Sequence, residues 1–408
     1  MSSVLRPDSA EGVLDAVRWA VAEETPLEVY GHGSKRGIGR PVQAEYGLDL
    51  SGLVGVTLYE PEELVISLKA GTPMTSVERL LKDHNQMLAF EPLELGPLHG
   101  VLRGRGTIGG TLMANASGPR RIKAGAARDH VLGIKAVSGR GEVFKSGGRV
   151  VKNVTGYDLS KVLAGSWGTL AVVTEATFKV LPRPETGVTL VLAGLDDQTA
   201  IATLCRVMGT PFDVTGAAHL PDALASEVPD AAFFSGGRAA TLIRLEGFRG
   251  SVDYRGEKLR DLLGRLGTIS LIEADASEGL WRAIRDAEAF GATALPVWRV
   301  SVAPNAGPPL IAALRDIASI RYFYDWSGGL VWIEVDGGGP DSLAREIRIA
   351  IAAVGGGHAT LMRGSPALRA AIAPFEPQPE PLAALARRLK EQFDPRGILN
   401  PGRMVAGA

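Results

Sequence analysis

The chain has 408 residues, enough for two or three domains with cores of their own. A formal net charge of −1 gives no electrostatic pull toward nucleic acid or an acidic lipid surface. A single cysteine, Cys205, excludes an intrachain disulfide and any metal or iron–sulfur centre held by this chain's cysteines alone.

No apolar run reaches the length of a membrane span, and the opening MSSVLRPDSAEG lacks a charged-then-apolar signal pattern. The expectation is a cytoplasmic protein that meets the inner membrane, if at all, peripherally and through partners. Glycine is abundant at 51 residues but has no fixed period, which excludes collagen and repeat arrays.

In chain order, Ser9 starts a helix in which Val13, Leu14, Val17 and Val21 recur at helical spacing, ending before Pro26. Leu27 to Tyr30 reads as a short strand that feeds Gly31-His32-Gly33-Ser34-Lys35, with Gly37 and Gly39 behind. The spacing is not that of a Rossmann fingerprint. It is not a Walker loop either, since Arg36 follows Lys35. An anion cradle and an ordinary tight turn both fit this loop. Residues 63–70 read as a strand, Thr75 to Glu78 as a capping box for a helix through Leu81, and residues 87–90 as another strand.

The stretch TIGGTLMANASG, residues 107–118, sets Gly109, Gly110 and Gly118 among small side chains. With few Cβ branches in the way, another surface can approach its backbone closely. That surface is either a phosphate-bearing ligand or a neighbouring element in a packed helix–strand turn. The basic cluster Pro119 to Lys123 fits phosphate pairing and a solvated loop equally. Ser138-Gly139-Arg140-Gly141 marks a hairpin between strands 131–137 and 142–145. A short helix to Leu163 and a third glycine turn, Gly165 to Thr169, lead into a strand over 170–180.

Pro182 and Pro184 mark a boundary. Beyond it, strands expected at 189–193, 240–246, 297–302 and 330–335 alternate with helices at 254–266, 278–289 and 343–353. Residues 381–393 form an amphipathic helix. The expected organisation is an N-terminal domain over 1–182, an antiparallel α+β second domain over 187–375, and a C-terminal helix and tail over 376–408 that returns to the first domain.

Four separated motifs occur in order: GHGSK at 31–35, TIGGTLMANASG at 107–118, VVKNVTGYDLSKVLAGSWGTLAVVTEATFKV at 150–180 and FDPRGILNPGR at 393–403. As a set they resemble the PCMH-type FAD-binding family, also called the vanillyl-alcohol oxidase superfamily. Within it, PRRIKAGAARDHVLGIKAV at 119–137 and the shortened second half look like the FAD-binding subunits of glycolate oxidases. The resemblance implies an α+β chain: a PCMH-type two-subdomain FAD-binding fold followed by an antiparallel α+β cap-like domain.

The resemblance also implies FAD held without a covalent link. It places Gly31, His32, Gly33, Ser34 and Lys35 on the pyrophosphate, continued by Thr107, Gly109 and Gly110. It sets Ala114, Asn115, Ala116 and Ser117 along the flavin and ribityl side. Gly168, Thr169, Leu170, Val172 and Val173 would pass the adenine or the ring edge through backbone groups. Trp167 and Ala171 depart from the family pattern, where an acidic residue and a glycine are common.

The implied function is a flavin electron-transfer subunit of a 2-hydroxy-acid dehydrogenase complex of the glycolate oxidase type. It would work beside a catalytic flavin subunit and an iron–sulfur subunit. A stand-alone dehydrogenase and a structural subunit without cofactor are the alternatives. The H-x-G-D-G-N-x-H segment of related catalytic subunits has no counterpart here, so no metal ligand and no catalytic residue is assigned. His358 stands alone between Gly357 and Ala359. Arg363 reads either as a carboxylate ligand or as a surface arginine.

Overall fold

The computed structural model describes residues 3–150 and 156–407, so 151–155 of the third motif lie outside the described residues. The chain divides into two compact units. The first comprises Met1–Ser117, Gly125–Arg183 and Pro377–Ala408; the second comprises Gly118–Ala124 and Pro184–Glu376.

In the first unit, Ser9 caps the helix Ala10–Ala22 by accepting from the Gly12 amide at 3.1 Å. That helix buries Val13, Val17 and Ala20. They join Leu27, Val29 and Leu48 from a three-stranded parallel sheet in which Tyr46–Asp49 lies between Ser3–Leu5 and Leu27–Tyr30. A second, antiparallel sheet has five strands in the order Val56–Glu60, Val65–Lys69, Ala171–Lys179, Val131–Ser138, Val143–Gly147. The hairpin at residues 138–141 joins the last two as expected.

Two local expectations are corrected. The helix at 74 starts two residues earlier than a Thr75 cap would allow. Pro73 is its N-cap, with no side-chain capping bond, and the Met74 amide bonds the Gly106 carbonyl at 3.0 Å. Proline's fixed φ already suits a helix entry, so no hydroxyl cap is required. Only Gln86–Met87 is strand; Leu88, Ala89 and Phe90 turn inward and are buried. Their apolar run fills core volume rather than a ladder.

The C-terminal motif returns to this unit. Ile398 accepts from the Leu27 amide at 2.7 Å, and the Asn400 amide donates to the Leu27 carbonyl at 3.0 Å. Leu399 thereby bridges Leu27 in parallel fashion at the sheet edge. The helix Glu380–Phe393 precedes it. No residue of that helix is buried, and Leu382 and Leu385 are exposed.

The second unit is built on one eight-stranded antiparallel sheet. Its order is Ile269–Glu273, Thr186–Ala193, Ala240–Gly247, Gly216–Leu220, Ser319–Asp325, Leu330–Asp336, Val297–Val302, Gly357–Arg363. Helices Asp197–Met208, Arg249–Leu263, Gly307–Arg315 and Ala344–Ala353 supply Ile201, Leu259, Leu310 and Ile347 to the core over one face. Strand Gly216–Leu220 is GAAHL, a sequence too poor in β-branched residues to read as a strand; its burial on all five positions places it centrally.

Gly118–Ala124 is tied into this second unit. Arg120 pairs with Glu246, Lys123 with Asp213, and the Arg121 guanidinium lies 4.2 Å from the Trp326 ring centre. Two of the cluster's cations thus have carboxylate partners, while Arg121 and Lys123 stay exposed to solvent.

Candidate functional site: a glycine-walled cleft in the first unit

Three bends distant in sequence line one cleft of about 690 Å³, part of it open to solvent. Residues Gly31 to Arg36 follow the strand Leu27–Tyr30. Thr107, Gly109, Gly110 and Met113 come from the cap and body of the short helix Ile108–Met113. Trp167, Gly168, Ala171, Val172 and Val173 come from the turn and strand after it, and Arg105 and Arg403 complete the wall.

Glycine is required at two of these places by contact within the protein. A Cβ on Gly31 would lie 2.7 Å from Thr107 Oγ1, and one on Gly109 would lie 2.8 Å from the Ala70 carbonyl oxygen. Both are closer than real carbon atoms come, so the bends can nest only without side chains.

The amides of Ile108, Gly109 and Gly110 are already used, while the Thr111 hydroxyl is buried without a partner. The Ile108 amide bonds Thr72 O at 3.0 Å, the Gly109 amide bonds Ala70 O at 2.9 Å, and Thr107 Oγ1 accepts from Gly110 at 3.2 Å. This stretch therefore offers the cleft closeness, not N–H groups. The amide donors lie in the first bend instead. Its turn bonds run from Arg36 N to Gly33 O and from Ile38 N to Lys35 O. Among the described residues no protein acceptor takes the amides of Gly33, Ser34 or Lys35.

Two side chains in that bend also lack partners. Lys35 is 8% exposed and its Nζ has no hydrogen-bond partner. Burial holds its pKa below that of an ordinary lysine, with Glu94 acting in the opposite sense. His32 Nδ1 is likewise buried without a partner. Burial first, then the Arg105 charge, depress its pKa, which favours neutral imidazole. Tethered at the same place, Arg403 donates to the Lys35 carbonyl at 2.8 Å. Sequence inspection left Arg105 and Arg403 out; the arginine closing the FDPRGILNPGR motif was the available signal for the second.

The remaining residues singled out in sequence do not line the cleft: Ala114, Asn115, Ala116, Ser117, Thr169 and Leu170. Asn115 Oδ1 accepts from the Arg128 amide at 3.0 Å and Ser117 Oγ from the Ala127 amide at 2.9 Å. Thr169 Oγ1 donates to Ser166 O at 2.8 Å. These side chains hold local turns together.

In the second unit, Arg363 is not a surface arginine. It is 7% exposed and donates to Glu334, Thr293 and the carbonyls of Leu295 and Phe290. Its donors serve the fold. His358 lies in the strand Gly357–Arg363, opposite Ser301. No group of three or more His, Cys, Asp or Glu side chains among the described residues is placed to hold a metal.

The sequence profile of the FAD binding domain family matches residues 1–147. The chain is 33% identical over 401 residues to glycolate oxidase subunit GlcE of Escherichia coli K12, covering 98% of each. It is 29% identical over 323 residues to glycolate oxidase subunit GlcD of Bacillus subtilis, covering 74% of this chain and 68% of the relative. The solved structure of p-cresol methylhydroxylase with substrate bound superposes with a TM-score of 0.71 at 14% identity, covering 98% and 88%. That likeness shows the shared fold. The chain belongs to the PCMH-type FAD-binding family, and within it to the group of FAD-linked oxidoreductase chains that contains glycolate oxidase subunit GlcE.

Proposed function

We propose that this chain is the FAD-binding subunit of a glycolate oxidase-type complex. It holds FAD non-covalently and takes part in electron transfer beside a catalytic flavin subunit and an iron–sulfur subunit. The observation that carries this reading is the match to GlcE along 98% of both chains, which spans the second unit as well as the cofactor domain.

The cleft fits the diphosphate of such a cofactor. Gly33, Ser34 and Lys35 present amides without protein acceptors, and Lys35 Nζ is a buried donor in the same bend. Arg105 adds a second cation at the wall. Buried donors without acceptors are costly, and an oxyanion relieves that cost through charge-assisted hydrogen bonds. Gly168 and Val172 line the same cleft. When bound, the cofactor supplies redox chemistry. The residues of this chain bind it, orient it and shield it from water.

With one cysteine, the chain supplies no iron–sulfur centre of its own, so onward transfer uses a partner's. No helix among the described residues is long and apolar enough to cross a membrane. In this reading the complex is cytoplasmic and any membrane association runs through the partners.

The test is co-purification of the tagged chain from its native host. The expected result is a yellow complex whose pigment is released by heat as FAD, with two further chains, one of them carrying iron and sulfide. Glycolate should reduce a dye through the complex and not through this chain by itself. A colourless chain that takes up no FAD would overturn the cofactor part, and a chain reduced directly by glycolate would overturn the subunit part.

A further inference from the structure

We propose that Lys390 and Asp394 are positioning residues for the bound cofactor: they hold the third glycine bend so that the Gly168 amide is presented to the cleft as a hydrogen-bond donor. This inference rests on the cofactor reading and deepens it.

Both carbonyls that flank Gly168 are held by the C-terminal segment. Asn400 Nδ2 donates to the Trp167 carbonyl at 2.9 Å, and Lys390 Nζ donates to the Thr169 carbonyl at 2.8 Å. In a trans peptide the C=O and the N–H point in opposite directions. With the Trp167 carbonyl turned to Asn400, the Gly168 N–H is turned away from it. Gly168 lines the cleft and Asn400 does not. The neighbouring amides are taken: Trp167 N bonds Met113 O at 2.9 Å, and Thr169 N bonds Ser166 O at 3.0 Å. Gly168 is buried, and among the described residues no protein acceptor takes its amide. A buried backbone N–H without a partner is rare in folded proteins, so its acceptor is expected from the ligand.

Lys390 Nζ stands among three oxygens: Thr169 O, Asp394 Oδ2 at 2.7 Å and Leu399 O at 3.1 Å. An ammonium carries three donors, so none is left for a ligand. The side chain is 14% exposed and does not line the cleft. Lys390 therefore acts on the cleft through the Thr169 carbonyl and not by touching the cofactor. Lys35 is the opposite case, with an Nζ in the cleft wall that has no hydrogen-bond partner.

Asp394 fixes where that ammonium stands. Its side chain is fully buried, and it accepts from the Ile398 amide at 3.1 Å and the Leu399 amide at 2.9 Å as well as from Lys390. Gly139 presses on it from the hairpin, where an added Cβ would come within 2.3 Å of its Oδ1. The helix Glu380–Phe393, which carries Lys390, buries none of its own residues. Its packing does not call for a buried ion pair, and such a pair is weak evidence for stability. Selecting one arrangement of the chain is its better-supported use, and the arrangement selected here is that of the third bend.

The experiment follows the purified full chain with and without FAD, by equilibrium dialysis and by amide hydrogen exchange on fragments that resolve Gly168. FAD should slow exchange at Gly168 at least tenfold in the unaltered chain. Lys390→Met should weaken FAD binding at least tenfold. At saturating FAD it should also lose at least fivefold of the protection at Gly168, while residues 33–35 stay protected. Lys390→Arg keeps a cation and should bind FAD within threefold of the parent. A role confined to fold stability would lower the urea midpoint of Lys390→Met and leave FAD affinity and Gly168 protection of the folded fraction unchanged. That result overturns the proposal, as does an arginine variant as weak as the methionine variant.

If Lys390→Met does not fold by circular dichroism, Gly168 exchange in the unaltered chain and the FAD affinity of Lys390→Arg decide; exchange unmoved by FAD overturns the proposal. A chain that takes up no FAD overturns the cofactor reading. A chain that binds FAD with Gly168 exchange unchanged overturns this inference and leaves the cofactor reading standing.

Discussion

Asn400 locks the C-terminal motif to the strand that launches the first glycine bend: its Oδ1 accepts from the Val29 amide at 2.9 Å. Its Nδ2 donates to the Trp167 carbonyl at 2.9 Å, so one carboxamide, fully buried, ties the first and third bends together. A Cβ on Gly168 would lie 2.9 Å from the same Nδ2, which is why glycine follows Trp167.

Asn400→Ala leaves the Val29 amide and the Trp167 carbonyl without this partner. At about 1–3 kcal/mol for a buried unsatisfied group, the variant should lose on the order of 3 kcal/mol in urea unfolding. It should also retain less FAD after gel filtration, because both bends relax. A variant with unchanged flavin content and stability would show that the carboxamide is not the tie.

Lys35→Met should move stability and cofactor binding in opposite directions. The Lys35 pKa is lowered in the folded chain by burial, so between that pKa and the ordinary lysine value the unfolded state binds more protons. The sign is that cofactor-free protein gains stability as pH rises through this window. Methionine removes the buried charge, so the cofactor-free variant should melt at a higher temperature than the parent and show a flatter alkaline pH profile. Its affinity for FAD should fall at least tenfold in equilibrium dialysis.

Gly31→Ala and Thr107→Ala should not add. The new Cβ at 31 meets Thr107 Oγ1 at 2.7 Å and Cγ2 at 2.9 Å. Overpacking of this kind costs about 1–3 kcal/mol, and loss of the Thr107 cap about 1 kcal/mol. In the double variant the clash is gone, so its stability loss in urea should fall below the sum of the two single losses by about 1 kcal/mol.

Glu334→Gln tests the buried network that holds Arg363. Glu334 is 1% exposed and accepts from Arg321 at 2.7 Å and from Arg363 at 2.8 Å. Neutralising it leaves two guanidinium groups without their common carboxylate, at a cost of about 3–5 kcal/mol. The variant should unfold at markedly lower urea concentration, with FAD content of the folded fraction unchanged.

Sequence alone determined the local pieces. Ser9 with its 3–4 spaced valines specified a capped helix, and Ser138 to Gly141 specified a hairpin, because both signals act between residues a few positions apart. The glycine runs at 31–33, 109–110 and 165–168 announced three places where backbone is approached closely. Only the tertiary structure decided what approaches them. At Gly31 it is Thr107, at Gly109 it is Ala70, and at Gly168 it is Asn400, each contact made across a long stretch of chain.

The same distinction holds for charge. Arg363 and Arg299 are indistinguishable as letters, yet Glu334 accepts from one and the Trp326 and Trp332 rings lie against the other. A spare hydrogen-bond donor is a property of which acceptors folding brings within about 3 Å, and that is fixed by long-range register rather than by neighbours in sequence.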